Sequence, residues 1–175
     1  KFIYAGSSTA FSDEYLNPYA FAKRTGERAC EMYNKVFNTS TVIARFFNVY
    51  GPRQPITGPW ATVIGLFEEQ KKAGKPLTVV GDGLQRRDFT HVNDIVSGLI
   101  ALSKDEWKCD IFSLGTGTNY SILDLVDMFK SDKVHLPPRP GEAKTTLADT
   151  SLAKEKLGWY PTINLKDYIK EKIKC

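Results

Sequence analysis

The feature that most constrains the fold is a run of three segments near the start of the chain. Residues 1–4, Lys-Phe-Ile-Tyr, have the apolar character of a strand. Apolar residues recur at helical spacing over residues 19–37, which predicts an amphipathic helix of about five turns. Residues 41–47 are β-branched and aromatic, as in a buried strand. Strand, crossover helix and strand form a βαβ unit, so the sequence predicts an α/β fold with a parallel sheet.

The rest of the chain continues to alternate between helical and strand patterns. Ser121 is a predicted helix cap, and Asp124 lies in the first turn of that helix, where a carboxylate suits the helix dipole. The Pro-Pro-Arg-Pro-Gly sequence at residues 137–141 predicts an extended linker. Further helices are predicted over residues 62–73, 92–102, 122–129, 151–157 and 165–173, and further strands over residues 77–80 and 110–114.

Composition excludes several classes of protein. The 175 residues are 42% hydrophobic, but no apolar run approaches the roughly 20 residues that span a bilayer, so we expect no membrane partner. The net charge is +4, yet the cations are scattered among acids, which argues against nucleic acid and is compatible with anionic small substrates. Cys30, Cys109 and Cys175 form no ligand cluster, which predicts reduced thiols, a cytoplasmic location and no metal.

Tyr19 and Lys23 are the first candidate catalytic residues. Residues four apart lie on the same face of a helix, so a phenol and an ammonium would share one site. A nearby positive charge favours a phenolate over a phenol, which suits general acid–base work. Ser7 follows the first strand and is a candidate third group. Taken alone, the pair is equally an ordinary surface pair at the start of a helix.

Five segments, in order, resemble the extended short-chain dehydrogenase/reductases, specifically NAD-dependent nucleotide-sugar epimerases and dehydratases of the UDP-glucose 4-epimerase kind. The first is the Ser7, Tyr19 and Lys23 set. The other four are Arg45-Phe-Phe-Asn-Val-Tyr-Gly-Pro-Arg-Gln54, Gly81-Asp-Gly-Leu-Gln-Arg-Arg-Asp-Phe-Thr-His-Val-Asn-Asp94, Pro138-Arg-Pro-Gly-Glu142 and Leu147-Ala-Asp-Thr-Ser-Leu-Ala-Lys-Glu-Lys-Leu-Gly-Trp-Tyr-Pro161.

The resemblance implies roles around an NAD cofactor. Tyr19 would be the general base, Lys23 would assist it and hold the nicotinamide ribose, and Ser7 would hydrogen-bond the reacting oxygen. Three further positions would lie against the cofactor, and they are Ala5, Gly6 and Phe46.

The resemblance also implies a binding site for a nucleotide-diphosphate sugar. Arg87 and Arg139 would grip the diphosphate with charge-assisted hydrogen bonds, and Asn48 would contribute an amide nearby. The plainer alternatives are an ion pair from Arg87 to Asp88 or Asp94, a solvated Arg139 and a turn-forming Asn48. Thr9 is a candidate for a second hydroxyl. Val63 and Val80 would pack against the nucleotide base, and Trp60 would lie at the rim of the sugar pocket. For these last three residues, simple core packing is the alternative.

The residues after Ser7 help to choose the reaction. Dehydratases of this family carry Asp-Glu there, and the decarboxylase branch has a glutamate at the second place, whereas this chain has Ser8 and Thr9. A 4-epimerase or a simple keto-reductase is therefore favoured. His91 comes after the Arg-Asp-Phe-Thr run and is predicted to be a hydrogen-bonded structural residue.

Residues 1–55 are predicted to be the remainder of an NAD-binding Rossmann domain, and residues 56–175 mainly a small mixed α/β lobe for the nucleotide sugar, with residues 88–115 returning to the first domain. The sequence contains no Gly-x-x-Gly-x-x-Gly turn for a dinucleotide pyrophosphate. We therefore expect the carboxy-terminal part of a Rossmann-type sheet, with the first βαβ units missing and the cofactor site incomplete. The expected partners are a second copy, or a chain supplying the amino-terminal half. The alternative is a non-catalytic remnant that binds a sugar nucleotide or a partner chain.

Overall fold

The computed structural model describes residues 1–58 and 61–173. The predictions for Trp60 and Cys175 lie outside the described residues. The strands are β1 (Phe2–Ser7), β2 (Thr41–Phe46), β3 (Val49–Tyr50), β4 (Leu77–Val80), β5 (Arg86–Asp88), β6 (Thr90–His91), β7 (Lys108–Leu114), β8 (Asn119–Ser121) and β9 (Lys133–Leu136). The helices are α1 (Pro18–Phe37), α2 (Val63–Lys72), α3 (Val92–Ser103), α4 (Ile122–Phe129), α5 (Ser151–Leu157) and α6 (Leu165–Lys172), with a 3₁₀ helix at Ser8–Phe11.

A parallel sheet in the order β1, β2, β7 confirms the predicted βαβ unit. Alternate residues of β2 point to opposite faces of the sheet. Both faces are covered by other parts of the chain. Val42 and Ala44 belong to a buried cluster with residues of α3, α5 and β7. On the other face, the Thr41 hydroxyl donates a hydrogen bond to the carbonyl of Cys30 on α1 (3.2 Å). This double burial explains why β2 is apolar almost throughout.

Helix α1 begins and ends where the sequence indicates. The side-chain oxygen of Asn17 accepts a hydrogen bond from the Ala20 amide (2.8 Å), and Pro18 occupies the first turn, where its missing N–H costs nothing. Asn38 ends the helix in the left-handed conformation. Gly26 lets α1 approach β1 closely, because a Cβ there would overlap the ring of Tyr4.

A second hydrophobic cluster is formed by residues of α2, α4, α6, β3 and β4, and Tyr120 of β8 packs against it. Ser121 caps α4 as predicted, and the Asp124 carboxylate accepts from the Ser121 amide (2.7 Å), which completes a capping box. Strand β9 was not expected from the sequence. It pairs in parallel with β4, and its residues are exposed, so no hydrophobic pattern marks it. The domain boundaries at residues 55, 88 and 115 stay a prediction.

Two buried aspartates, Asp88 and Asp94, join segments that are distant in the sequence through hydrogen bonds. The Asp88 carboxylate accepts hydrogen bonds from the amides of Thr116 (2.9 Å), Gly117 (2.9 Å) and Ala148 (3.1 Å), and from the Thr116 hydroxyl (2.6 Å). The Asp94 carboxylate accepts from the amide and hydroxyl of Thr162 and from the amide of Ile163. Asp88 is fully buried and Asp94 nearly so, so each charge is stabilised by these donors rather than by water.

Among the described residues, no helix combines the length and the apolar character that crossing a membrane requires.

His91 has the structural role that its sequence context predicts. It is buried, caps α3 by accepting a hydrogen bond from the Asn93 amide at Nδ1 (3.2 Å), and packs edge-on against Tyr50. Burial lowers the pKa of His91, and neighbouring Asp94 opposes that shift. An imidazole that accepts at Nδ1 must keep that nitrogen unprotonated.

We therefore expect the free energy of unfolding to fall as the pH is lowered through about 6.5, the ordinary histidine pKa. The folded-state pKa is depressed, so this stability is complete above the unfolded value and is lost as the pH falls toward the folded one. His91→Asn keeps a capping acceptor without a titrating ring and should flatten the slope. Urea unfolding between about pH 5.5 and 7.5, which spans the ordinary value, measures it, and equal slopes in the two proteins would contradict this role.

Candidate active site

The first part of the site lies at the carboxyl ends of the parallel strands, where α/β sheets bind ligands. Ser7 is the last residue of β1 and is in register with Phe46, the last residue of β2, which pairs in turn with Leu114. The Ser7 side chain is buried, and its oxygen accepts a hydrogen bond from the Thr9 amide (3.2 Å). That bond uses a lone pair and leaves the hydroxyl proton available to a ligand.

Lys23 connects α1 to this strand end. Its ammonium donates a hydrogen bond to the carbonyl of Ala5 (2.8 Å) and lies 5.7 Å from the ring centre of Tyr19. The same nitrogen lies 5.5 Å from the ring centre of Tyr4. Tyr19 is 43% exposed, so its hydroxyl is within reach of a bound molecule. The structure thus brings the predicted phenol, ammonium and hydroxyl to one end of β1.

A buried ion pair that the sequence prediction did not include fixes the next turn of α1. Arg45 donates from Nε and Nη2 to the two carboxylate oxygens of Glu27 (2.9 and 2.8 Å). Arg24 adds a more exposed contact to Glu27 (3.3 Å). Gly6 permits this arrangement, because a Cβ there would meet Glu27 Oε1 at 3.2 Å and Ile43 at 3.0 Å. The sequence did contain an indication that Glu27 belongs to the site. Tyr19, Lys23 and Glu27 follow one another at intervals of four residues, which places all three on one face of the helix.

The second part of the site is a cleft of about 420 Å³ whose lining includes Asn48, two residues beyond the end of β2. Five predicted substrate-binding residues from separate segments of the chain line this cleft. They are Asn48, Val63, Val80, Arg87 and Arg139. Thr9 does not line the cleft, and its hydroxyl oxygen is buried in the 3₁₀ helix beside Ser7, with no hydrogen-bond partner in the part of the chain that the structure describes.

Arg87 is the most constrained cation of the cleft. Its side chain is 11% exposed, and it donates to the Glu142 carboxylate (3.1 Å) and to the carbonyl of Arg86 (2.9 Å). Burial lowers the pKa of Arg87, and the Glu142 charge and hydrogen bond oppose that shift. Arg87 therefore pairs with Glu142 and not with Asp88 or Asp94. The carboxylates of those two aspartates instead accept hydrogen bonds from Thr116 and Thr162.

Asn48 has a left-handed backbone (φ 32°) and commits its side-chain amide to the protein. The amide nitrogen donates to the carbonyl of Asp88 (2.8 Å) and to the hydroxyl of Thr146 (3.0 Å). Both amide hydrogens are thereby used in this structure, so a diphosphate contact through that nitrogen would require one of these bonds to break.

Residues 137–146, which we call the strap, follow strand β9 and form part of the cleft wall. The strap contributes Arg139 and Glu142 to the cleft lining. It is attached to β5, where the Arg86 amide donates to the Lys144 carbonyl (2.9 Å) and the Thr146 amide donates to the Arg86 carbonyl (3.0 Å). As predicted for a linker, residues 137–139 form neither helix nor strand, and a turn follows at residues 140–141.

In residues 1–58 and 61–173, no three His, Cys, Asp or Glu side chains are grouped to hold a metal ion.

Comparison with known proteins agrees with this geometry. Residues 1–115 match the sequence model of the NAD dependent epimerase/dehydratase family. A Bacillus subtilis protein named as an uncharacterized UDP-glucose epimerase is 33% identical over 98% of this chain and 59% of its own length. The chain spans about half to three fifths of the length of the curated relatives that it matches.

Two solved structures show the same fold. UDP-glucuronic acid 4-epimerase from Bacillus cereus, in complex with UDP-glucuronic acid and NAD, matches with a TM-score of 0.87 and 32% identity over 99% of this chain and 60% of its own. UDP-glucose 4-epimerase from Thermotoga maritima, with UDP-glucose, matches with a TM-score of 0.89 and 28% identity over 99% and 62%. These matches confirm the Rossmann-type sheet predicted from the sequence.

The Arg45–Glu27 pair generates a stability prediction. Arg45→Met would leave Glu27 buried and only partly compensated by Arg24, so we expect a loss of about 3 to 5 kcal/mol in the free energy of unfolding. Combining Arg45→Met with Glu27→Leu removes both charges and should recover most of that loss. Urea unfolding measures all variants.

Arg28→Met is the matched control, because Arg28 pairs with Glu14 at the surface (2.6 Å) and its side chain is 60% exposed. Its loss should stay below about 1 kcal/mol. A loss of that size for Arg45→Met as well would show that the buried pair does not hold α1.

Proposed function

The chain belongs to the NAD-dependent epimerase/dehydratase family, and on that premise we propose that it provides the catalytic groups and the substrate cleft of a nucleotide-sugar 4-epimerase. The observation that carries this proposal is the convergence of Asn48, Val63, Val80, Arg87 and Arg139 on one cleft. One lining residue, Asn48, lies two residues beyond the strand end at Phe46, which is in register with Ser7.

The charges of the cleft suit a diphosphate. Arg87 and Arg139 supply two permanent cations, and planar guanidinium groups can bind phosphate oxygens through paired hydrogen bonds. Arg87 is paired with the Glu142 carboxylate, so an incoming diphosphate competes with that carboxylate for this cation. A doubly charged ligand that reaches both arginines gains more than the single carboxylate gives up. Val63 and Val80 add apolar surface beside these cations, as a nucleoside requires.

The groups at the end of β1 suit proton transfer from a sugar hydroxyl. Tyr19 is exposed enough to accept that proton, and the Ser7 hydroxyl can donate a hydrogen bond to the same oxygen. The Lys23 ammonium lies 5.7 Å from the ring centre of Tyr19 and keeps donors beyond the one given to Ala5.

The same residues fit the nicotinamide end of NAD. The unused donors of Lys23 can bind ribose hydroxyls, and Ala5, Gly6 and Phe46 line the strand ends beside them. NAD, when bound, would supply the hydride acceptor and donor that the sugar oxidation needs. The 175 residues contain no Gly-x-x-Gly-x-x-Gly turn for its pyrophosphate, so this chain accounts for one end of the cofactor.

The two residues after Ser7 favour an epimerase over a dehydratase. Ser8 and Thr9 form the start of the 3₁₀ helix and offer no carboxylate for eliminating water. Proton transfer by Tyr19 without a second acid suffices for reversible oxidation of one hydroxyl. A keto-reductase would use the same set of residues.

We also propose that α1 and β1 associate with another polypeptide, either a second copy or a chain that adds strands. Several large apolar side chains of α1 are exposed, and they are Phe21, Met32, Tyr33, Val36 and Phe37. Within the described residues β1 pairs only with β2, which leaves its other edge open.

The diphosphate clamp is tested by Arg87→Ala. Loss of a charge-assisted contact, about 1.5 to 3 kcal/mol, should weaken the binding of UDP or GDP roughly 10- to 150-fold. Isothermal titration calorimetry measures the dissociation constants. Arg86→Ala is the matched control, because the Arg86 guanidinium faces away and donates to Asn119 (2.8 Å). Equal affinities in wild type and Arg87→Ala would refute the clamp.

The catalytic proposal is tested by Tyr19→Phe in a preparation of the protein that interconverts UDP-sugars. Removing a general base should lower kcat roughly 10²- to 10⁴-fold and leave UDP affinity unchanged. Tyr15→Phe is the control, since Tyr15 is 75% exposed and lies in the preceding loop. Unchanged turnover in Tyr19→Phe would reject the assigned base. Nucleotide binding in a chain that never supports turnover would instead favour the non-catalytic alternative.

A further inference from the structure

The strap is hydrogen-bonded to the amino end of α1 through the side chain of Asn17. Asn17, the residue that caps α1, donates a hydrogen bond from Nδ2 to the carbonyl of Gly141 (2.9 Å). Its Oδ1 simultaneously accepts from the Ala20 amide in the first turn of the helix (2.8 Å). One amide group therefore joins two segments that are 124 residues apart in the sequence.

Gly141 is shaped for this contact. Its backbone is left-handed (φ 72°), a region that favours glycine. A Cβ at this position would lie 2.7 Å from the carbonyl oxygen of Leu16 and 3.3 Å from Cβ of Asn17. The strap thus rests directly on the backbone that leads into α1, and only a residue without a side chain permits that approach.

We propose that Asn17 is a positioning residue that sets the diphosphate clamp and the catalytic tyrosine in a fixed relation. Asn17 precedes Tyr19 by two residues, and Gly141 follows Arg139 by two residues. Asn17 itself does not line the cleft, so it acts through these neighbours. The inference rests on the proposed function, since it assumes that Arg139 binds the ligand on which Tyr19 acts.

The link matters for catalysis because a sugar nucleotide is bound at its diphosphate and reacts at its sugar. The reacting hydroxyl is placed only if the clamp and the base are held at a set separation. Because the strap carries Arg139 and Glu142, and α1 carries Tyr19 and Lys23, ordering of the strap by a nucleotide is transmitted to the first turn of α1. Such positioning is a recognised source of rate acceleration.

The alternative is that Asn17 is only a helix cap. Asn17→Asp separates the two roles, because a carboxylate keeps the capping acceptor and suits the helix dipole, but cannot donate to Gly141. Gly141→Ala disrupts the same contact from the strap side and leaves the cap intact. Asn164→Asp is the matched control, since Asn164 caps α6 through its side-chain oxygen.

Hydrogen–deuterium exchange should first be measured without ligand. Asn17→Asp and Gly141→Ala are each expected to increase exchange in peptides that cover the strap, while the thermal unfolding of Asn17→Asp and Asn164→Asp stays at the wild-type value. Unchanged strap exchange in Asn17→Asp would overturn the inference, because the contact would then hold nothing in place.

Exchange and calorimetry with UDP and with GDP complete the test. In the wild type, the nucleotide that binds should slow exchange in the first turn of α1, and in the two variants that transmission should be lost, with nucleotide affinity weakened roughly two- to tenfold. Equal protection of α1 in variants and wild type would overturn the inference. If neither nucleotide binds the wild type, the proposed function fails, and the ligand-free exchange alone decides the role of Asn17.

Discussion

The structure depends on a carboxylate that is buried with neutral donors around it. Asp88 accepts hydrogen bonds from the loops at Thr116, Gly117 and Ala148, and it is inaccessible to solvent. A charge in that position is tolerated only if every donor is in place, so the loops cannot shift independently. Asp88 also comes directly after Arg87. The hydrogen bonds that hold Asp88 in place therefore also fix the backbone from which the Arg87 side chain reaches the cleft.

Helix α1 is fixed by a comparable set of contacts. Lys23 bonds to the carbonyl of Ala5, Glu27 is gripped by Arg45, and Gly26 lies against Tyr4. These contacts fall between Lys23 and Glu27, so that part of the helix can neither rotate nor slide along β1 without breaking one of them. Gly6 and Gly26 are needed because the helix and strand approach more closely than side chains would allow.

Sequence patterns predicted the helices that have either a long series of apolar residues at helical spacing or a side-chain cap, such as α1 and α4. Strand β9 escaped prediction because its pairing with β4, not its own composition, makes it a strand, and local propensity carries no information about so distant a partner. The same limit applies to the site. Motif resemblance pointed to residues that do line one cleft, because Asn48, Arg87 and Arg139 lie within matched segments. It could not show that Glu142 holds Arg87 or that the strap rests on Asn17, since one or two hydrogen bonds between distant segments make each contact.

These same contacts bear on how the proposed ligand would enter. A diphosphate approaching Arg87 would meet a cation that already has a carboxylate partner, so binding would be an exchange in which Glu142 is released as the phosphate arrives. Glu142 belongs to the strap, and the strap is held to α1 through Gly141. If the proposed function holds, release of that carboxylate would change the forces on a segment that contacts Asn17, the cap of α1, and would thereby couple occupancy of the proposed phosphate site to the position of Tyr19.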